Sequence, residues 1–547
     1  MADELAKKVV QGYDALKTER GAFDERLRDI TRYCLPEWEN QNEDTRNDNA
    51  PARPVSSAPV NASIMLGGHL YSHTIATGQR WFSLRTALGD EQNADASLKE
   101  WLQEAADTAL KKIQNSNFNE AFGSMVTLYA TYGTGIISAQ YDPRESELVF
   151  RNHSVNGNIY LAEDEVGRVN TVYRLLRYTA QQAAQVYGAE SLPDEVRKAL
   201  GDPAQVTTKF DFIQMVAPNP NYDWSRPDNQ AMPYRSVEVY KQTETVVAED
   251  GFRTFPFACP RFIKLRDFAY GYGAGHQALP AIRELNRTEA LYISAAEMAA
   301  GPPTFTNDEE LMEIERLEPF GVYYVDPANG PPQQFQMGPV PQTLFERVQQ
   351  LQGEIQELFY VNVFLAISQK YRQTKTATEV EELTEEKLNS IGPMVSRLQS
   401  ECFSPLVERV ISLLMQHGEL PPPPPTLLQQ GFRVVYTSRI DSKFAEVKAL
   451  QELRAQEMAA RMLAQGAQLP ELGDVHEYKR AAAKLLESMH VDQDHIVSDQ
   501  ERKKREQARA QAEQAMQQAQ QVDPIDPQKA AEPGSPLDQA TRTPMPL

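Results

Sequence analysis

The chain has 547 residues, 41% hydrophobic and 24% charged, with 55 Lys and Arg against 76 Asp and Glu and a net charge of −21. That length supports several hydrophobic cores, and the acidic balance excludes a protein that grips nucleic acid over its bulk surface, because phosphate binding rests on cationic contacts. The sparse cysteines, Cys34, Cys259 and Cys402, offer neither a disulfide framework nor a zinc spacing and point to a reducing compartment.

The charged start, MADELAKKVVQGYDALKTER, lacks the apolar core of a signal peptide. Leu5, Val9, Tyr13 and Leu16, then Phe23, Leu27 and Ile30, recur at helical spacing, with a break expected near Gly21. Residues 39–60 are polar and proline-dotted and read as a loop. Ser97 and Glu100 form a capping-box pattern ahead of Trp101, Leu102, Ala105, Ala109 and Ile113, and a second helix is expected over 118–131.

The texture then changes. GIISAQYD, a DPRES turn, ELVFRN and VNTVYRLL alternate as strands do. Thr179 is placed to cap a short helix through Tyr187. Strand patterning returns in FDFIQMV and in VEVYKQTETVVAEDGFRTF, where Glu249-Asp250-Gly251 reads as a hairpin turn.

From Gly275 the pattern is helical again, with Leu279, Ile282, Leu285, Tyr292, Ile293 and Ala296, until GPP at 301–303 stops it. A strand-and-turn insert follows, with FGVYYVD and QQFQM. Leu344, Val348, Leu351, Ile355 and Leu358 then step by fours and threes, a heptad-like seam on a helix of about 28 residues, or about 42 Å. The longest apolar run, FYVNVFLAI at 359–367, falls short of the roughly 20 residues that span a bilayer. The expectation is a soluble, intracellular chain at synthesis.

That helix runs into SQKYRQTKTATEVEEL, where Lys370, Arg372 and Lys375 precede Glu379, Glu381, Glu382, Glu385 and Glu386. The next helix starts near Thr376 and carries Val380, Leu383, Ile391, Val395, Leu398, Cys402, Leu406 and Val410 on one row. Gly392-Pro393 interrupts this row, and proline kinks a helix by removing a donor and clashing with the preceding turn. The helix ends near His417-Gly418. Five prolines at 421–425 form an extended linker. FRVVYTS reads as a strand, and helices are expected over 443–465 and 475–489. Beyond residue 500 a Gln/Ala-rich tail closes in Pro-rich low complexity and is expected to be disordered. The whole reads as an α+β chain, mostly α-helical.

Motifs for chemistry are absent. YGTG at 132–135 and YGYGAGH at 270–276 lack the Lys-Ser/Thr of a P-loop and the context of a dinucleotide fold. They read as flexible backbone ahead of a helix. His69 and His73 are four apart with no third ligand, and His490 and His495 are five apart. No nucleophile elbow or supported Cys/His pair occurs. The acidic groups at 307–310 and after 378 would suit Mg²⁺ in a nuclease, but Glu381 and Glu385 repel at i,i+4, and a solvated acidic surface is the plainer reading. No catalytic, cofactor or metal residue is assigned, and the chain is not expected to be an enzyme.

Residues 376–425, TATEVEELTEEKLNSIGPMVSRLQSECFSPLVERVISLLMQHGELPPPPP, decide the matter. This stretch resembles the head-to-tail connector, or portal, proteins of short-tailed double-stranded DNA phages. The resemblance lies in the T-A-T-E-V start at Thr376 to Val380, the central Gly392-Pro393, Glu401 followed by Pro405-Leu406-Val407 and Arg409, and the exit through Gly418 and Leu420-Pro421. RWFSL at 80–84, YGYGAGHQALPAIRELNRTEAL at 270–291 and the following Pro-Pro support it.

The resemblance implies a portal-type subunit with wing, stem, clip and crown, assembling into a ring, usually of twelve copies. It implies N-terminal helices and an α/β wing in 1–274, stem helices at 275–300 and 342–368, and a clip at 301–341. A tunnel loop falls at 369–375, a kinked helix at 376–417, a linker and wing strand at 418–440 and a helical crown at 441–500. The tail at 501–547 lies outside it.

Lys370, Tyr371, Arg372 and Lys375 would then face channel DNA, and Gly392 and Pro393 would bend the helix. Asp308, Glu309, Glu310, Tyr323 and Tyr324 would bind partners at the clip. The plainer alternative for 369–375 is a solvated turn between helices. The implied role is packaging and ejecting double-stranded DNA at one capsid vertex of the virion, after assembly in the host cytoplasm. The implied partners are the terminase large subunit, a tail adaptor, and capsid and scaffolding proteins. A packaging ATPase or nuclease is disfavoured by the missing P-loop. A channel-free internal scaffold protein is the other alternative.

Overall fold

The computed structural model describes residues 2–38, 54–75, 80–86, 96–223, 225–226, 228–302, 304–306, 319, 321–324, 333–334, 342–363 and 391–436. The chain divides into two units, Met1–Asp441 and Ser442–Leu547, and the described residues all belong to the first. The helices expected over 443–465 and 475–489 and the tail lie outside them.

Helix α1 (Ala2–Cys34) is continuous. Its inward row of Ala6, Val9, Tyr13, Phe23, Leu27, Ile30 and Cys34 is buried throughout. The break expected at Gly21 does not occur. A Cβ there would meet nothing, so the glycine sits on the open side, and packing on both flanks outweighs its roughly 1 kcal/mol helix cost.

Helix α2 (Ala58–Thr74), strand β1 (Phe82–Thr86) and helices α3 (Ala96–Asn115) and α4 (Phe118–Tyr132) follow. Ser97 falls inside the first turn of α3, one residue past its start. Gly67 lets α2 approach the Thr127 backbone of α4. Strands β2 (Ile137–Asp142) and β3 (Glu147–Asn152) form the expected hairpin around a left-handed Ser146.

The largest sheet is antiparallel, in the order β4 (Ile159–Glu163), β5 (Val169–Thr179), β6 (Lys209–Pro218), β7 (Tyr234–Tyr240) and β8 (Thr245–Phe252). One face packs on α1, where Ala6, Val9 and Tyr13 meet Tyr160, Ile213, Val237 and Val239. The other carries α5 (Ala180–Tyr187) and α6 (Asp194–Leu200), with Ala183 and Val196 against Phe210, Phe212 and Tyr240. Arg174, Gln214 and Glu238 are direct cross-strand partners on β5, β6 and β7 and are hydrogen-bonded in that order. Such a polar row pins register, because a one-residue slip would send every member to the other face. Thr179 caps α5 as expected, its hydroxyl accepting from Gln182 N at 3.3 Å while Gln182 Oε1 accepts from Thr179 N at 3.0 Å.

The hairpin turn expected at Glu249-Asp250-Gly251 is not one. Those residues lie within β8, and the chain reverses at 241–244, where Glu244 is left-handed. Gly251 instead permits close approach, since a Cβ there would strike the Asn229 carbonyl oxygen.

Strands β9 (Phe257–Ala258), β10 (Ile263–Lys264) and β11 (Gly271–Tyr272) lead into α7 (Ala274–Ala300). The 301–341 insert contains β12 (Thr304–Thr306), β13 (Val322–Tyr324) and β14 (Gln333–Gln334) as one sheet, with β12 central. Helix α8 (Gln342–Leu358) is shorter than the pattern suggested: Tyr360 is left-handed, and helical backbone resumes over 361–363. Helical backbone from 391 leads into α9 (Ser404–Gln416), followed by α10 (Pro425–Gln430) and β15 (Phe432–Tyr436). Strand β15 pairs antiparallel with β1. The proline linker is tied down where Trp101 Nε1 donates to the Pro421 carbonyl at 3.0 Å.

Candidate functional site: the helix pair and its glycine joint

The two glycine-rich stretches, 132–135 and 270–276, meet. Gly133 closes α4 in a left-handed conformation (φ 88°). A Cβ on it would fall inside contact of Gly273 N, the Tyr272 carbonyl carbon and the Gly271 oxygen. Gly273 and Gly275 in turn face the Thr131 oxygen. Phe262 N donates to Gly133 O at 2.8 Å, and Gly271 N donates to Thr134 Oγ1 at 2.9 Å. The expected flexible backbone is thus a close backbone-on-backbone crossing, and the absent side chains allow it. It fixes where α7 begins.

From that joint α7 runs in two parts. Ala274, Gly275, Ala278, Leu279, Ala281, Ile282, Leu285 and Thr288 are buried, and Arg283 pairs with Asp29 of α1. Past Thr288 the burial ends: Leu291 is 54% and Ile293 44% exposed. Helix α8 lies alongside. Its Val348, Leu351 and Ile355 are buried, bearing out the middle of the expected seam, while Phe345 is 47% exposed. Arg347 pairs with Glu284 at 2.7 Å, and Gln352 donates to Glu289 at 2.9 Å. The pair therefore starts in the core and carries exposed apolar side chains at Leu291, Ile293 and Phe345.

The residues of the E-x-x-x-P-L-V-x-R pattern are structural anchors. Glu401 accepts from Arg261 N at 2.9 Å, Nε at 3.1 Å and Nη2 at 2.8 Å. Arg261 is buried and also pairs with Glu163, and its Nη2 donates to Gly167 O at 3.0 Å. Arg409, buried on α9, donates to Thr254 O at 3.2 Å, to Thr254 Oγ1 at 3.1 Å and to Ala139 O at 3.4 Å, and sits over the Phe252 ring. Burial holds its pKa down, to about 10, and no ion pair to it occurs among the described residues. Sequence reasoning gave Arg261 no role; an arginine in the apolar run FACPRFIKL was the available signal.

Other expected site residues fare differently. Gly392 and Pro393 lie in helical backbone described from 391 onward. Tyr323 and Tyr324 lie on β13, in register with Phe305 and Thr306. Lys370, Tyr371, Arg372, Lys375, Asp308, Glu309 and Glu310 lie outside the described residues.

All three cysteines are free and buried, and burial pushes their thiols up, Cys34 and Cys259 to about 12. Such thiols are poor nucleophiles at neutral pH. The rings of His69 and His73 are 6.2 Å apart. No cluster of three or more His, Cys, Asp or Glu able to hold a metal occurs among the described residues. No helix among them is long and apolar enough to cross a membrane.

A family model described as bacteriophage head to tail connecting protein matches residues 6–497. A probable portal protein of Bordetella phage BPP-1 is 26% identical over 466 residues, covering 81% of this chain and 82% of that protein. A portal protein of Salmonella phage epsilon15 is 24% identical over 446 residues, covering 80% of each. Among solved structures, a chain from the virion of a native gene transfer agent particle is similar at 10% identity and a TM-score of 0.36, over 77% of this chain and 89% of that one.

Proposed function

The chain belongs to the bacteriophage head to tail connecting proteins, and from that membership we propose how its parts serve a portal. Its function is that of a portal protein: it joins head and tail at a capsid vertex and gives viral DNA its way in and out. One observation carries this. The family match spans residues 6–497, and two phage portal proteins align with about four fifths of the chain.

The finer assignments are ours. The chain forms a ring, with twelve copies the expected number. Helices α7 and α8 are the stem, entering from the glycine joint and leaving the core where Leu291, Ile293 and Phe345 become exposed. The 301–341 insert is the clip, and Asp308, Glu309, Glu310, Tyr323 and Tyr324 meet partners there. Residues 369–375 are the tunnel loop. The kinked helix spans 376–417, the wing holds the five-stranded sheet, and 441–500 is the crown.

The physical logic is that of a conduit. One subunit offers Lys370, Arg372 and Lys375 beside Tyr371, and a ring repeats them around the axis. Duplex DNA presents a phosphate charge about every 1.7 Å, so a cationic ring always finds some. The net charge of −21 limits adhesion elsewhere, which lets DNA slide. The ATP-driven work belongs to a separate motor, the terminase large subunit. It docks first and gives way to a tail adaptor, while capsid and scaffolding proteins surround the wing. This stage lies in the host cytoplasm.

Negative-stain imaging of the purified full chain tests the reading. Rings with a central channel are expected, whereas rods or monomers would favour an internal scaffold protein. An ATPase assay on the same sample is expected to be blank. Turnover would move the chain to the packaging enzymes.

A further inference from the structure

Residues 391–416 form one helix with a π turn inside it, Gln399–Phe403. There Ser404 N–H reaches the carbonyl of Gln399, five residues back, so the turn holds one residue more than an α-helical turn would. Pro405 follows immediately and has no N–H to give. The hydrogen-bond ladder is therefore missing a rung at 405, and a change upstream need not unwind α9.

The two sides are held differently. Helix α9 is fixed by its buried face and by Arg409. Residues 391–398 are held by burial of Ile391, Val395 and Leu398, by one hydrogen bond accepted from a neighbouring element and by one donated to another. Tyr129 Oη donates to Met394 O at 2.9 Å, and Arg397 Nη1 donates to Phe262 O at 3.0 Å. The π turn itself is held by Glu401 on Arg261, and by Tyr436 Oη donating to Gln399 O at 3.2 Å.

Glu401 is not the sole acid partner of Arg261. Arg261 has a second carboxylate, Glu163, and the Gly167 carbonyl, so losing Glu401 does not leave a buried cation alone. Lys264 shares Glu163 at 3.6 Å. Glu401 is itself partly exposed and can hydrate.

We propose that the π turn is a register store for the helix, latched by Glu401 on Arg261. Expelling its extra residue would make the turn α-helical. Residues 391–398 would then rotate by about 100° and travel about 1.5 Å along the axis relative to α9. That this moves the chain leading back to the channel rests on the portal reading; the two registers do not.

Amide hydrogen exchange on the full-length protein tests it, comparing wild type, Glu401→Gln and a deletion of Ser400. Glu401→Gln should speed exchange of 391–403 at least about tenfold and leave 406–416 unchanged. The Ser400 deletion removes the stored residue and should slow exchange of 391–403 below wild type. An equal rise on both sides of Pro405 in Glu401→Gln, or no rise, overturns the proposal. So does a folded Ser400 deletion that exchanges as wild type. If that deletion fails to fold by circular dichroism, Glu401→Gln decides alone. Ring images of the same samples score the portal reading separately, since exchange is read without DNA.

Discussion

At the scale of single residues, the same substitution should have opposite signs at two glycines. Gly133→Ala places a methyl against the 271–273 backbone at a left-handed position. Overpacking and strain together should cost roughly 2–4 kcal/mol. Gly21→Ala meets open space on α1 and should stabilise by about 0.5–1 kcal/mol. Thermal unfolding of the two variants checks both signs, and a neutral Gly133→Ala would count against a tight joint. His153 supplies a pH dependence. Burial first, then Arg174 and Arg151, push its pKa down to about 3, and it is hydrogen-bonded to Ser138 at 2.9 Å. The unfolded chain takes a proton near pH 6.5 and the folded one does not. Stability is therefore full above that value and is lost as pH falls from about 6.5 toward 3. The loss from this residue should be about 2 kcal/mol at pH 5. His153→Gln should flatten that part of the acid limb in denaturant titrations at pH 8 and pH 5. An unchanged acid limb would mean that His153 is not held neutral.

At the scale of elements, periodicity was legible and long-range contact was not. Strands β5 to β8 of the large sheet, the Thr179 cap and the start of α7 could be read, because alternation, a capping pair and a 3.6-residue period are local, whereas β4 was missed. The β7–β8 turn was misplaced because Asp-Gly is a turn signal only when nothing else needs the glycine, and here Asn229 approaches it. The glycine stretches were misread for the same reason: their partner is another glycine stretch far away in sequence. The π turn left no local mark except Pro405. Of the candidate site, the helix pair was foreseen, whereas the ion pair that seats Glu401 and the carbonyl and hydroxyl acceptors that seat Arg409 were not. Gly392-Pro393 belongs at this scale. Substituting both by Ala removes a proline that costs about 3 kcal/mol in a helix interior and should straighten the segment. Impaired ring assembly or stalled packaging is expected; normal rings that package normally would show that no bend is required.

At the scale of the whole molecule, the cations of the proposed tunnel loop matter only in the aggregate. Changing Lys370, Arg372 and Lys375 together to Ala should leave folding and ring formation intact, since exposed substitutions usually change stability by less than about 0.5 kcal/mol. The defect should come late, as DNA slipping from filled heads. Added salt should weaken retention in the wild type more than in the variant. Packaged DNA measured at two ionic strengths makes the comparison, and equal retention in both proteins at both would return the stretch to a plain polar turn.

The pairing of β1 with β15 sets a clock on all of this. Phe82 and Tyr436 are register partners about 350 residues apart. A ribosome adding about 5–20 residues per second takes roughly 20–70 s to make the second strand after the first. Until then β1 emerges without its mate, and such distant closure is slow even afterwards. The unit can finish only after Tyr436 has been made and has left the ribosome. A nascent chain shorter than that has no completed unit to offer its neighbours, so under the proposed ring the supply of chains made past Tyr436 governs how soon rings appear.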